Sequence, residues 1–141
     1  MRFNEQIAIV TGGAGGLGKS IAQRLAEEGA TVIIFDLNET AVKSVESELR
    51  GENLKVDSQL VDVTNERSVV EGFNKVAEEY GQLDIMVNCA GIIGPNGIKL
   101  TEVETSAFDD TLAVNLRGSF LMTKYALIEM EKLNYGRILL V

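Results

Sequence analysis

The residues best suited to bind a ligand are the glycines between Thr11 and Gly18, which directly follow the apolar run Ile7–Val10. Glycine tolerates positive φ angles and lets a ligand approach the backbone without meeting a Cβ. The next residues, Lys19–Ala26, fit a helix, whose first amide groups are unpaired and lie at the positive end of the helix dipole. The order strand, glycine turn and helix therefore predicts a binding site for a phosphate or pyrophosphate.

A carboxylate follows at the separation that a dinucleotide site requires. Asp36 ends a second apolar run, Thr31–Phe35. In dinucleotide-binding folds an acid at this place binds the hydroxyls of the adenosine ribose. A second interpretation stays open, in which the turn binds no nucleotide and Asp36 only caps a helix.

The segments that must position these residues alternate between strand-like and helix-like patterns. Strands are predicted at Ile7–Val10, at Thr31–Phe35, within Leu54–Val61, at Leu83–Val87 and at Ile138–Val141. Helices are predicted at Lys19–Ala26, at about Asn38–Arg50 before Gly51, at Val69–Tyr80 between a cap at Thr64 or Asn65 and a stop at Gly81, and at about Val103–Val114 and Leu116–Leu133. The alternation implies one α/β domain over residues 1–141, with a parallel sheet covered by helices on both faces.

Four polar or glycine-rich clusters follow predicted strands. They are Gly12–Gly18, Asp36, Asp62-Val63 and Asn88–Gly91. Ligands of parallel sheets bind at the carboxyl ends of the strands, near the change in strand order. We therefore expect these clusters to form one site.

The composition excludes several classes of function. The net charge of −8 argues against a general nucleic-acid binder, which needs a basic face. The chain has no histidine and one cysteine, Cys89, so we expect neither a metal site nor a disulfide framework. No apolar run approaches the roughly 20 residues of a membrane span, and Met1–Gln6 lacks the apolar core of a signal peptide. These features predict a cytoplasmic protein that binds neither nucleic acid nor membranes.

Taken together, the motifs resemble those of the short-chain dehydrogenase/reductase family in its classical branch. Thr11-Gly12-x-x-x-Gly16-x-Gly18 matches the family's cofactor loop, and Asn88-Cys89-Ala90-Gly91 is similar to its Asn-Asn-Ala-Gly motif. The likeness runs from about Gln6 to Val141. It implies a Rossmann-like, doubly wound parallel sheet of about five strands in the order 3-2-1-4-5, truncated before the family's last strands.

The resemblance also implies the site residues. Asp62-Val63 matches the pair that touches the adenine ring, and Asn115 matches the family's catalytic asparagine, which holds a water. The implied cofactor contacts are Gly12, Ala14, Gly15, Gly16, Leu17, Gly18, Asp36, Leu37, Asp62, Val63, Asn88, Ala90 and Gly91. On spacing alone, Asn115 also fits a helix asparagine paired with the backbone. Cys89 departs from the family's asparagine and would remove one polar contact of the central strand.

The predicted cofactor is NAD(H). Asp36 would accept hydrogen bonds from both ribose hydroxyls and repel a 2′-phosphate. No basic residue stands in the glycine loop or at Leu37 and Asn38, where an NADP-dependent relative would carry one. Lys19, one residue into the helix, is expected to face solvent.

The family's serine and its Tyr-x-x-x-Lys motif have no counterpart in these residues. None of Tyr80, Tyr125 and Tyr135 is followed four residues later by lysine. General acid–base catalysis contributes about 10²–10⁴-fold, so we expect little or no turnover from this chain as it stands. Three hypotheses stay open. The chain is the NAD-binding part of a dehydrogenase for alcohols, ketones or 3-oxoacyl groups, a short protein that binds or senses NAD without chemistry, or an α/β interaction module.

The helix predicted at Leu116–Leu133 carries apolar side chains that would pack against a neighbour, namely Phe120, Leu127, Ile128 and Met130. In the family this helix contributes to a subunit interface, so a homo-oligomer is expected. The alternative is a stripe that only faces the core. We also expect the outer edge of the last strand and one face of the sheet to be uncovered.

Overall fold

A five-stranded parallel sheet forms the centre of the computed structural model, which describes residues 1–141. The strands are β1 (Ile7–Thr11), β2 (Thr31–Asp36), β3 (Val56–Leu60), β4 (Ile85–Asn88) and β5 (Arg137–Leu140). Their order is β3-β2-β1-β4-β5, which confirms the predicted doubly wound fold and its strand order.

Helices connect the strands and lie on both faces of the sheet. They are α1 (Gly16–Glu27), α2 (Glu39–Gly51), α3 (Glu66–Tyr80), α4 (Thr105–Leu112) and α5 (Ser119–Lys132). A short 3₁₀ turn, Leu100–Glu102, precedes α4, and a π-helical segment, Ala113–Gly118, joins α4 to α5. None of these helices combines the length and the apolar composition that crossing a membrane requires.

Two apolar layers cover the sheet because successive strand residues point to opposite faces. Ile9 and Ile33 pack in one layer with residues of α3 and α5, whereas Ala8 and Val32 pack in the other with residues of α1 and α2. The central strands are therefore buried on both faces. This double burial explains why they consist largely of branched apolar residues.

The ends of the second and third helices follow from local chemistry. Of the two predicted caps for α3, the structure uses Asn65, whose side chain accepts the amide of Ser68. The helix ends as predicted at Gly81, whose φ of 72° suits glycine. The predicted end of α2 at Arg50, before Gly51, is off by one residue, because the helix ends at Gly51 itself and the positive φ falls on Asn53.

The prediction of two separate helices around Asn115 is also wrong. The backbone stays right-handed helical from α4 through Ala113 and Gly118 into α5, with i→i+5 spacing in the π-helical segment. Asn115 does not break the helix because its side chain bonds the backbone of Ile92 instead of its own helix. Likewise α1 begins at Gly16, ahead of the predicted start at Lys19.

The apolar face predicted on α5 is smaller than expected. Met130 is only 4% exposed and packs in the core, so it does not belong to that face. Phe120, Leu127 and Ile128 are exposed. The last strand, β5, pairs only with β4, and its Leu139 is exposed, which fits the expected uncovered edge.

Candidate functional site

A cleft of about 440 Å³ lies at the carboxyl ends of the central strands. Its 14 lining residues are Gly12, Gly15, Phe35, Asp36, Leu37, Val61, Asp62, Val63, Thr64, Cys89, Ala90, Gly91, Ile92 and Val114. The four clusters predicted from the sequence contribute to this one cleft, because parallel strands place their carboxyl ends on the same edge of the sheet. Its volume lies within the range of about 300–1,000 Å³ that is usual for small-molecule sites.

The glycines of the loop serve two different purposes. Gly12 has a φ of 63°, and a Cβ there would stand 2.9 Å from the carbonyl oxygen of Cys89. A Cβ on Gly18 would collide with the carbonyl oxygen of Gly12. These two glycines therefore let backbones approach one another. Gly15 and Gly16 instead face open space, because a Cβ on either would meet nothing within 4 Å.

The amino end of α1 lies at this open space. Gly15 is its N-cap, and no side chain accepts a hydrogen bond from the first turn. The first amides of a helix have no partner within the helix, so this end offers donors and the positive end of the dipole to an anion.

Asp36 lies at the cleft with both carboxylate oxygens engaged. Oδ2 accepts the amide of Ala14 at 3.1 Å, and Oδ1 accepts the amide of Asn38 at 3.1 Å. The cap of α2 is Asn38, whose side chain accepts a hydrogen bond from the amide of Ala41. Asp36 therefore does not act merely as a helix cap. A carboxylate oxygen can accept a second hydrogen bond, so the fixed carboxylate keeps the capacity to bind a ligand.

The opposite wall of the cleft follows β3. The Asp62 carboxylate is fixed by Thr64, whose amide and hydroxyl donate to Oδ1 at 2.9 and 2.7 Å. Val63 is buried under the π-helical segment, where a Cβ on Gly118 would stand 2.9 Å from its side chain. A glycine at 118 therefore lets this segment pack closely on the cleft wall.

A polar bridge joins the two central strands beneath the cleft. The Thr11 hydroxyl donates to Asn88 Oδ1 at 2.8 Å and accepts the amide of Ala90 at 3.0 Å. The substitution at Cys89 leaves this bridge intact, because neither bond uses that side chain. Burial raises the pKa of the Cys89 thiol, so the thiol is neutral at pH 7.

Asn115 holds the loop that follows β4. Its Oδ1 accepts the amide of Ile92 and its Nδ2 donates to the carbonyl oxygen of the same residue, both at 2.8 Å. The Asn115 side chain is therefore paired with backbone groups, as the alternative interpretation proposed. These groups belong to the loop after β4 and not to the helix that carries Asn115. Its predicted catalytic role stays a prediction.

Most predicted cofactor residues line the cleft, and several do not. Ala14, Gly16, Leu17, Gly18 and Asn88 lie outside the lining set. The sequence prediction missed the lining residues Phe35, Val61, Thr64, Cys89, Ile92 and Val114. Most of these are direct chain neighbours of predicted residues, so extending each cluster by one residue would have found them.

Lys19 does not reach the cleft. Instead of facing solvent freely, its ammonium pairs with the Glu48 carboxylate at 2.8 Å, which joins α1 to α2. No lysine or arginine lines the cleft. In addition, no group of three or more His, Cys, Asp or Glu side chains is arranged to hold a metal ion.

Comparison with known proteins gives a consistent result. Residues 6–141 match the family model for short chain dehydrogenase. The 3-oxoacyl-[acyl-carrier-protein] reductase FabG of Thermotoga maritima is 34% identical over 138 residues, which cover 98% of this chain and 55% of that protein. The chain thus spans about half the length of the curated relatives it matches.

Solved structures share the fold. NAD+-bound xylitol dehydrogenase superposes with a TM-score of 0.95 at 31% identity, over 99% of this chain and 54% of that one. A variant of actinorhodin polyketide ketoreductase with NADPH superposes with a TM-score of 0.90 at 32% identity, over 96% of this chain and 52% of that one.

Proposed function

The chain belongs to the short-chain dehydrogenase family, and we propose that it is the cofactor-binding part of an NAD-dependent oxidoreductase. The observation that carries the proposal is the Asp36 carboxylate, held by two backbone amides at a cleft that the glycine loop also lines. The reaction proposed for the whole protein is hydride transfer between NAD(H) and an alcohol or ketone, 3-oxoacyl groups included.

The residues present fit a dinucleotide. The open space at Gly15 and Gly16 and the uncapped amino end of α1 suit the pyrophosphate. Asp36 suits the adenosine ribose, and Asp62 with Val63 and Leu37 would border the adenine. The Ala90–Ile92 wall would then border the nicotinamide half.

The charge of the cleft favours NAD over NADP. An NADPH 2′-phosphate would lie near the Asp36 carboxylate, and like charges repel strongly in a confined site. No lysine or arginine lines the cleft to offset that repulsion. The two similar solved structures hold NAD+ and NADPH respectively, so membership of the family alone does not decide the cofactor.

The bound nicotinamide would supply or accept the hydride. The chain's own residues would bind and orient it: the glycine loop at the pyrophosphate, Asp36 at the ribose, and Asn115 through its two hydrogen bonds to the Ile92 backbone. We propose that Asn115 also holds a water in the complete protein, as the family resemblance implies.

We propose that these 141 residues alone turn over little or no substrate. All three tyrosine hydroxyls form hydrogen bonds outside the cleft, Tyr80 with Asp57, Tyr125 with Glu66 and Tyr135 with Gln6. None lines the cleft, so none is placed to give a proton to a carbonyl there. The same observation favours a second candidate, a protein that binds or senses NAD without chemistry.

We further propose that the chain self-associates. Phe108, Leu112, Leu116 and Phe120 recur every four residues along α4, the π-helical segment and α5, and all four are exposed. Side chains four residues apart shift slightly around an α-helix at each step, and the wider π-helical turn reduces this shift. The four side chains therefore form a continuous apolar strip. A second copy of the chain would cover it with the same surface.

Calorimetric titration of the chain with NADH and NADPH tests the proposal. We expect NADH to bind more tightly, and hydride transfer with a panel of alcohols and ketones to stay near background. Absence of binding by either dinucleotide would leave the interaction module as the surviving hypothesis. Turnover at the rate of an ordinary dehydrogenase would contradict the proposal that the chain alone is inactive.

A further inference from the structure

The cleft wall formed by Ala90, Gly91 and Ile92 is held at both ends by side chains from other elements. At one end the Thr11 hydroxyl accepts the amide of Ala90 at 3.0 Å. At the other end Asn115 bonds both the amide and the carbonyl of Ile92 at 2.8 Å. The wall is thus fixed at the two residues that flank its glycine.

Two further residues join these two anchors. The Thr11 hydroxyl donates to Asn88 Oδ1 at 2.8 Å, and Asn88 Nδ2 donates to Ser119 Oγ at 3.0 Å. The Ser119 hydroxyl then donates to the backbone carbonyl of Asn115 at 2.6 Å. A continuous chain of hydrogen bonds therefore runs from β1 through β4 to the π-helical segment.

The two end groups of this series of hydrogen bonds fix the direction of every bond in the series. The Ala90 amide can only donate and the Asn115 carbonyl can only accept, so each group between them must accept at one side and donate at the other. The side chain at residue 119 must accept a hydrogen bond from Asn88 and donate one to the Asn115 carbonyl. Among the standard residues, only the short hydroxyl side chains of serine and threonine can do this here. Hydrogen bonds aligned head to tail in this way strengthen one another.

We propose that Ser119 is a positioning residue for the dinucleotide, because it couples the two anchors of the Ala90–Ile92 wall. This inference rests on the proposed function. A helix serine often bonds the carbonyl four residues earlier without further consequence. Ser119 differs because it also accepts a bond from Asn88, which is only 2% exposed and lies beneath the cleft.

The experiment compares Ser119→Thr with Ser119→Val, two changes that give nearly the same shape and differ in the hydroxyl. Two quantities are measured on the 141-residue chain: hydrogen exchange of the Ile92 amide without nucleotide, and the Kd for NADH. We expect Ser119→Val to accelerate the exchange and to weaken NADH binding, each about tenfold. Ser119→Thr should keep the exchange rate and the Kd within about twofold of the wild-type values.

Thr111→Val is the matched control. The Thr111 hydroxyl donates to the Ala107 carbonyl at 2.8 Å, a bond of the same local type on the same helical run, with no bond onward to a strand. We expect it to leave Ile92 exchange and NADH binding unchanged. An equal effect of Thr111→Val and Ser119→Val would overturn the proposal.

Other outcomes separate this inference from the proposed function. If the wild-type chain binds no dinucleotide, the proposed function fails, whereas exchange at Ile92 still tests the coupling. If Ser119→Val leaves that exchange unchanged, or if Ser119→Thr loses as much as Ser119→Val, the coupling role is overturned. Ser119→Ala replaces Ser119→Val in the same comparison if the valine variant does not fold.

Discussion

Gly18 lies directly against the carbonyl of Gly12, so that a Cβ at residue 18 would collide with this oxygen. The contact joins the first turn of α1 to the end of β1 and sets the shape of the glycine loop. Gly15, three residues earlier, has an extended backbone that any residue adopts and open space around its Cα.

Alanine at these two glycines should therefore affect different properties, stability at Gly18 and nucleotide binding at Gly15. Gly18→Ala is expected to destabilise the fold by about 1–3 kcal/mol, since a well-packed backbone must move to admit the methyl group. Gly15→Ala is expected to fold normally and to weaken NADH binding, because its methyl group enters the space proposed for the pyrophosphate. Urea unfolding and NADH titration of both variants measure the two effects. Equal stability of both variants would contradict this division.

Replacing Asp36 by asparagine should change the choice of cofactor. The amide keeps the shape of the side chain and removes the charge proposed to repel a 2′-phosphate. We expect NADH to bind more weakly and the preference for NADH over NADPH to fall by about tenfold or more. Asp110→Asn makes the same change of charge on α4, outside the cleft, and should leave the preference unchanged. The Kd values of both nucleotides decide the matter.

Thr11→Val should destabilise the protein without changing its shape. Thr11 is fully buried, and valine fills the same space while leaving the Ala90 amide and Asn88 Oδ1 without their partner. Leaving buried polar groups unpaired costs about 1–3 kcal/mol in the free energy of unfolding. Thr31→Val, at a half-buried position for which no side-chain hydrogen bond is found, is the control and should be nearly neutral. Chemical denaturation of both variants gives the comparison.

Tyr80 should make the fold sensitive to alkali. Burial, with a further contribution from Glu79, raises the pKa of Tyr80 to about 12 from the ordinary value of 10.0. A raised pKa means that the folded state holds this proton more tightly than the unfolded state does. The contribution to stability is therefore complete below pH 10 and is lost as the pH rises through about 12.

Tyr80→Phe cannot ionise, so its stability should fall less between these two pH values than that of the wild type. Thermal unfolding of both proteins across this range tests the prediction. Parallel curves would show that Tyr80 is not responsible for the alkaline loss.

The apolar strip on the continuous helix should control self-association. Leu116→Glu places a charge in its middle, at a residue that is 67% exposed in the single chain and so has room for the new side chain. We expect sedimentation velocity to report a monomer for this variant and a larger species for the wild type. Leu60→Glu, at a 51% exposed leucine on β3, should leave the association unchanged.

The sequence predicts the central strands β1, β2 and β4 well because they are buried and read as short apolar runs. It predicts the Asp36 site for a related reason, since an acid at the end of such a run must lie at the ligand-binding edge. The continuous helix through Asn115 was not predictable in the same way. An asparagine near the middle of a helix usually competes with the backbone, and only the distant Ile92 removes that competition.

The burial of Met130 depends on a similar long-range contact. Its side chain packs over Gly136, where the absence of a Cβ leaves room for it. The periodicity of α5 alone does not distinguish a residue that meets this glycine from one that meets a partner subunit.

The π-helical segment makes the continuous helix one residue longer than α-helical spacing would need over the same path. A deletion in a regular α-helix rotates everything that follows by about 100°. A deletion between Ala113 and Gly118 would instead let the wide turn tighten to α-helical spacing, so that Leu121, Met122 and Ala126 keep their places in the core. A single-residue deletion should therefore be better tolerated in this segment than in the first turn of α5.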